Sequence, residues 1–211
     1  MNAIVKVADS SHLKFCAEIS EMIENAAQKR GTGIAKRSPD YLEKKISEGK
    51  AVIALSNEAV AGFCYIETWG HGKYVANSGL IVHPSFRNTG LARKIKTRIF
   101  QLSRSKFPQA KIFGITTSLA VMKINSDLGY KPVTFSELTS DETFWKGCES
   151  CPNHDILVRT GRKHCLCTGM LLDPQSLPAN TTTRQERWRR FRRFLKLRAI
   201  RIKRNLKPVN A

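Results

Sequence analysis

Two stretches of this chain hold residues whose types and spacing can do chemistry. In VHPSFRNTGLARKI, residues 82 to 95, the run Arg87-Asn88-Thr89-Gly90-Leu91-Ala92 sets a glycine and small residues between an apolar, strand-like segment and a basic, helix-like one. A tight turn at that point aims several backbone N–H groups outward and adds the positive end of the helix dipole, an arrangement that holds a phosphate or pyrophosphate. An ordinary strand-to-helix loop would use the same residues, so the turn alone does not decide. In CESCPNHDILVRTGRKHCLC, residues 148 to 167, Cys148-x2-Cys151 is followed after thirteen residues by Cys165-x-Cys167. Four soft ligands in two close pairs suit a tetrahedral, structural Zn(II), with His154 or His164 able to replace one cysteine. Two pairs of core cysteines are the alternative, and the polar segment around them argues against it. Cys16 and Cys64, by contrast, lie in apolar runs and read as buried core thiols.

The elements that must position these groups follow from periodicity. AIVKV is a short strand. SSHLKFCAEISEMIENAAQKRG repeats apolar residues at helical spacing, opened by Ser10 or Ser11 and closed by Gly31. SPDYLEKKISEG is a second helix, with Ser38 as cap, Pro39 in the first turn and Gly49 at the end. AVIALS, AVAGFCYIETW and YVANSGLIV, joined by turns at Asn57-Glu58 and at GHGK, form a three-stranded meander. After His83-Pro84 come a helix (GLARKIKTRIFQLSRSKF), a strand (KIFGITT), a helix (SLAVMKINSDLGY) and a strand (KPVTFSEL), and CLCTGMLLDP reads as a last strand.

The 211 residues, 41% of them hydrophobic, bury one core and can carry an appendage. The formal charge is +19, but the last 28 residues, from Arg184, hold twelve Lys or Arg against one Glu, so +11 sits there and +8 on the rest. That excess invites an anionic partner for the tail more than for the body. The longest apolar run, AVAGFCYI, is too short to span a bilayer, and a soluble cytoplasmic protein is expected. In a reducing compartment, clustered cysteines serve as metal ligands before disulfides.

A strand ending in Val-His-Pro, an aromatic at 86, Arg87, Gly90, Ala92 and a basic helix closely resemble motif A of the GNAT N-acetyltransferases, and the strand order fits as well. The resemblance implies an α/β (α+β) GNAT fold: a mixed, mostly antiparallel central sheet flanked by helices. The cysteine-rich metal-binding insertion would lie before the last strand, and a basic C-terminal helix would follow. It implies that Arg87, Asn88, Thr89, Gly90, Leu91 and Ala92 cradle the pyrophosphate of acetyl-CoA, with Ile81 and Val82 beside the pantetheine arm. The chain departs from the pattern at Asn125, where many members carry the tyrosine that protonates the leaving thiolate. An amide is no general acid, so water serves or Asn125 only hydrogen-bonds the coenzyme.

GIAKRSPDYLEKKI, HGKYVANSGLIVHP and KIFGITT resemble the acetyltransferase domain of bacterial N-acetylglutamate synthases over residues 31 to 137. That resemblance implies glutamate as acceptor, with Arg37 and Lys73 on its carboxylates; a dicarboxylic amino acid needs two cations. The amine must lose a proton as it attacks, and Glu67, on the third strand of the expected sheet, is the candidate base, with a structural salt bridge as the alternative. His83 packs more readily than it reacts. Succinyl-CoA is an alternative donor. The competing function is a protein N-acetyltransferase associated with RNA or the ribosome through the tail.

The tail, RQERWRRFRRFLKLRAIRIKRN, places Trp188, Phe191, Leu195, Ala199 and Ile202 on one stripe among arginines. Such a helix packs on its own domain, binds RNA, or binds anionic membrane through residues 184–205. The expected organisation is residues 1–175 as the acyltransferase domain, with the zinc insertion at 145–168, and 176–211 as the basic tail. A homodimer is a further expectation.

Overall fold

The protein is described by a computed structural model over residues 3–30, 37–176 and 188–197, and the elements and contacts below are those of the described residues. In chain order they are β1 (Ile4–Val7), α1 (Cys16–Arg30), α2 (Pro39–Ser47), β2 (Ala51–Ser56), β3 (Ala59–Trp69), β4 (Tyr74–Val82) and α3 (Leu91–Lys106). There follow β5 (Lys111–Thr116), α4 (Leu119–Asp127), β6 (Lys131–Val133), α5 (Glu142–Lys146), α6 (His154–Arg159) and β7 (Thr168–Leu172). The strands form one sheet in the order β1-β2-β3-β4-β5-β7-β6. Only β4 and β5 run parallel; the other neighbours are antiparallel.

Local chemistry explains most boundaries. Ser38 caps α2, its side chain accepting from the Tyr41 N–H, with Pro39 in the first turn. Ahead of α1, Asp9 takes the capping role rather than Ser10 or Ser11, and residues Ser10–Phe15 make a 3-10 turn before the α-helix. A carboxylate accepts from the Ser11 N–H while leaving the serines inside the turn. Asn57 and Glu58 both have positive φ, the geometry of a two-residue hairpin turn whose twist suits β2 and β3. Gly31, residues 33–36, Arg184, Ala199 and Ile202 lie outside the described residues.

Three clusters hold the layers together. On one face α1 and α2 lay Ile19, Ile23, Leu42 and Ile46 on Phe63, Tyr65 and Ile81. On the other, α3 and α4 lay Leu91, Ile95, Ile99 and Met122 on Val52, Ile66 and Ile112. Each such aliphatic side chain contributes about 1.5–3 kcal/mol on burial. The third cluster joins Phe113 of β5 to Phe135, Trp145 and Leu157. Phe191, in the helical segment at residues 188–197, is 2% exposed and belongs to the α3–α4 cluster, flanked by Trp188 and Leu195. This part of the tail therefore packs on its own domain.

The structure departs from the expected KPVTFSEL strand. Pairing stops at Val133 and a 3-10 turn follows at Phe135–Glu137, closed by a capping box between Thr134 and Glu137. A strand would send Phe135 and Leu138 to opposite faces, whereas a 3-10 turn eclipses positions three apart. Both side chains are thereby buried together.

Candidate functional site

The loop after β4 has the geometry its sequence suggests. Gly90 caps α3 at φ +81°, Asn88 sits at φ +63°, and a Cβ built on Gly90 would meet nothing within 4 Å. The chain at the α3 N-terminus is thus open at Gly90, with the helix dipole behind it. Arg87, Asn88, Thr89 and Gly90 are exposed, Leu91 is buried in the core, and Ala92 is half-buried. Thr89 braces the turn by donating its hydroxyl to the Phe86 carbonyl at 2.7 Å. His83 accepts from the Ser85 N–H and packs edge-on to Phe86, as a packing residue would.

Behind the loop, β4 and β5 part company. They pair only from Tyr74 with Lys111 to Ala76 with Phe113, although β4 continues to Val82 and β5 to Thr116. The result is a fork opening toward the loop. Ile81 is buried and Val82 half-buried on its β4 arm. The β3–β4 register also slips between Phe63 and Tyr65, where Gly79 adopts φ +63° and a Cβ would collide with the Tyr65 ring. A bulge at that point frees backbone groups of β4 from the ladder. Asn125 of α4 is 1% exposed; its Nδ2 lies 3.8 Å from the Met170 sulfur and its Oδ1 has no hydrogen-bond partner among the described residues.

On the α2 face at the level of the fork lies a polar cluster within the apolar layer. Glu67, opposite Ala76 of β4, pairs with Lys45 of α2 at 2.7 Å, the two side chains being 13% and 11% exposed. Burial pushes the Glu67 carboxyl up to about 7 against the pull of Arg37, and burial pushes the Lys45 ammonium down. Arg37 donates from Nε to the Tyr65 hydroxyl at 2.6 Å and stacks over Tyr41, which Lys45 also approaches. Arg37 and Glu67 are thus brought together. Lys73 is not with them: it is exposed in the β3–β4 turn, beside a cavity of about 390 Å³ walled by His71, Phe107, Pro108 and Lys111. The Tyr65 level of β4 is Ser78, five residues from Lys73, or roughly 16 Å of strand.

Sequence reasoning missed Lys45 and Tyr65. Their signals were the Tyr41–Lys45 spacing, which puts both on one helical face, and the shared parity of Tyr65 and Glu67 on β3.

Residues 20–120 match the model of the Acetyltransferase (GNAT) family. The chain carries a GNAT acetyltransferase domain. The match runs from within α1 to the start of α4 and so takes in the forked strands and the loop at the α3 N-terminus. No curated protein matches the chain. Among solved structures, it is similar to the N-acetylglutamate synthase of Neisseria gonorrhoeae complexed with coenzyme A and N-acetyl-glutamate. That likeness has TM-score 0.58 and 17% identity, covering 82% of this chain and 35% of that one, so the chain spans about a third of the synthase. It is also similar to the diaminobutyrate acetyltransferase of Paenibacillus lautus in complex with its substrate and coenzyme A, with TM-score 0.55, 9% identity and coverage of 85% and 99%. A third is the ribosomal-protein-S18-alanine N-acetyltransferase of Escherichia coli, with TM-score 0.51, 11% identity and coverage of 86% and 100%. At these identities the likeness establishes the fold.

Among the described residues, the cysteine-rich excursion is not arranged as the expected closed metal site. Cys148, Cys165 and Cys167 pack at the edge of the third core cluster. Burial, then Cys151 and Cys165, pushes the Cys148 thiol up to about 11; burial, then the other three cysteines, pushes Cys167 up to about 12. The thiols share one neighbourhood, yet among the described residues no group of three or more His, Cys, Asp or Glu is placed to hold a metal ion. His154 opens α6 and His164 is exposed. No helix among the described residues is long and apolar enough to cross a membrane.

Proposed function

We propose that the GNAT domain transfers an acyl group from acetyl-CoA to the α-amino group of a small dicarboxylic amino acid, glutamate foremost, with succinyl-CoA as the alternative donor. The observation that carries this reading is the half-buried cluster of Arg37, Tyr65, Lys45 and Glu67 level with the fork. Cations that hold carboxylates and a carboxylate that takes a proton from an ammonium group are the complement of an amino acid. In this reading Arg87 through Ala92 bind the pyrophosphate, Ile81 and Val82 flank the arm, and Asn125 offers its orphan Oδ1 to an N–H of the coenzyme. Arg37 holds one acceptor carboxylate and orients it. Lys73, at the turn, holds the other for an acceptor long enough to reach it. Glu67 removes the proton from the attacking amine.

Thiol release measured over a panel of free amino acids, with acetyl-CoA and succinyl-CoA each, tests it. Glutamate should be preferred to glutamine, because a cation left without its partner costs binding. Arg37→Met should lower kcat/KM for glutamate by about ten- to a hundredfold, the loss of one charge-assisted pair, whereas Lys73→Met should cost a longer acceptor more than it costs glutamate. If the Arg37 variant turns over glutamate normally, or only a protein amine is acylated, a protein N-acetyltransferase replaces this reading.

Zinc at Cys148, Cys151, Cys165 and Cys167 is a separate proposal, supported by their paired spacing and by Asn153, which meets both Cys151 and Cys165. Bound there, the ion would staple the excursion and take no part in acyl transfer. Metal analysis of protein purified under reducing conditions should find about one zinc per chain, and Cys151→Ser should lower stability more than coenzyme affinity. Protein free of zinc leaves the excursion held by the third core cluster alone.

A further inference from the structure

The buried face of α3 carries a charge that the reading above does not use. Lys96 is 2% exposed, and among the described residues no carboxylate pairs with it. Its ammonium donates to the Asn77 carbonyl at 3.1 Å and lies 5.9 Å from the Tyr130 ring centroid. Burying a cation without an anion is costly, so its position calls for a reason.

The register supplies one. Lys111 donates its N–H to the Lys73 carbonyl at 2.9 Å. In a parallel ladder, carbonyls facing a given neighbour alternate along the strand, so those of Lys73, Val75 and Asn77 face β5. The strands' last pair is Ala76 with Phe113, and the Asn77 carbonyl is the first of this row to stand beyond it. Lys96 occupies the place where β5 would have donated, which is the apex of the fork. Asn77 is itself fixed: its Nδ2 donates to Ser103 at 2.6 Å and its Oδ1 accepts from the Tyr130 hydroxyl at 3.1 Å. From Asn77 to Val82 is five residues, roughly 16 Å of strand. That matches an extended pantetheine arm running from the loop at 87–92 down the fork, and it ends with the thioester beside Lys96. Glu67 lies at the same level on the opposite face of the sheet, with Ile66 facing Asn77. The fork passes between the two.

We propose that Lys96 is the general acid that protonates the departing coenzyme thiolate. This rests on the acyl-CoA reading above. As the acceptor nitrogen bonds to the thioester carbon, its proton passes to Glu67. The C–S bond then breaks with its electron pair on sulfur, and a proton from Lys96 Nζ completes the thiol. Solvent restores the Lys96 proton and removes the one on Glu67, so one thioester and one amine give one amide and one thiol. Burial lowers the Lys96 pKa and the Cys64 thiol opposes this, which brings the acid closer to a thiol in strength. The titratable groups facing Lys96 are Cys64 of β3 and Tyr130, the latter raised well above its ordinary value by burial.

The test compares acetyl-CoA with its selenium analogue, acetyl-selenocoenzyme A, whose selenolate leaves without a proton. In the unmodified protein, kcat with acetyl-CoA should fall on the alkaline side as Lys96 loses its proton, while kcat with the selenoester stays level. Lys96→Met should lose about a hundredfold or more in kcat with acetyl-CoA and only a few-fold with the selenoester, at unchanged affinity for coenzyme A. Lys96→Arg, which keeps the charge but is too weak an acid, should show the same split between donors. An alkaline fall identical for the two donors, or variants impaired equally with both, makes Lys96 a structural brace and overturns the proposal. A parent protein that binds no coenzyme A in calorimetry overturns the acyl-CoA reading itself.

Discussion

Glu67 shows how one residue's chemistry depends on its surroundings. Burial holds its carboxyl up at about 7, and Arg37 pulls the other way. A base must be deprotonated to act, so below about pH 7 kcat/KM should fall about tenfold per pH unit, and above it level off. Glu67→Gln should remove that acid limb and lower kcat/KM about a hundredfold or more. A variant that keeps the limb would show that another group is the base. Lys45→Met should move the limb to higher pH, since the carboxylate would lose the ammonium 2.7 Å away. Glu67 was legible in the sequence because a carboxylate in an apolar strand is conspicuous. Lys45 was not, since its role comes from α2 settling onto β3, a tertiary approach that local periodicity does not encode. Lys96 was hidden for the opposite reason: a lysine beside Ile95 on a basic helix reads as solvated, and only the parting of β4 and β5 gives it an interior partner.

At the scale of elements, the strand–loop–helix unit from β4 through α3 was legible almost residue by residue. Its turn chemistry is local: Gly90 at φ +81° and Asn88 at φ +63° come from the residue types that tolerate such backbone. Gly90→Glu tests the unit directly. The open space above Gly90 means that the new side chain would not collide with the protein. Its carboxylate would instead occupy and repel the pyrophosphate position, and the positive φ would strain the turn. Calorimetry should show acetyl-CoA affinity lost while the circular dichroism spectrum is unchanged; retained affinity would take the loop out of coenzyme binding. The segment after β6 was less legible. Its alternating pattern suited a longer strand, but Phe135 and Leu138 both find the interior by turning, and that interior is supplied by Trp145, Leu157 and Leu171 further along the chain. The cysteine spacing suggested a metal and gave no sign of the two short helices, α5 just before Cys148 and α6 between the two cysteine pairs.

On the scale of the whole molecule, the excess positive charge and the catalytic domain meet in the segment at residues 188–197. Phe191 enters the α3–α4 core, Trp188 stacks against Lys123 at 4.9 Å, and Arg189, Arg190, Arg192 and Arg193 remain exposed. Anchor and charge therefore sit on opposite sides of one helix. Cutting the tail away would confuse them, because losing a buried phenylalanine side chain costs about 3–5 kcal/mol whatever the arginines do. Replacing the four arginines with glutamine keeps the anchor and removes the charge. For an enzyme whose acceptor is a free amino acid, kcat/KM in the thiol-release assay should stay within about twofold, since exposed charges steer large polyanions far more than a small solute at physiological salt. An enzyme that meets its acceptor on an RNA-containing particle should lose most of its rate toward that particle, and lose less as salt screens the parent's advantage. Normal turnover of glutamate by the four-fold variant, together with the same melting temperature as the parent, would separate the tail's charge from catalysis and leave Phe191 as the tail's contribution to the fold.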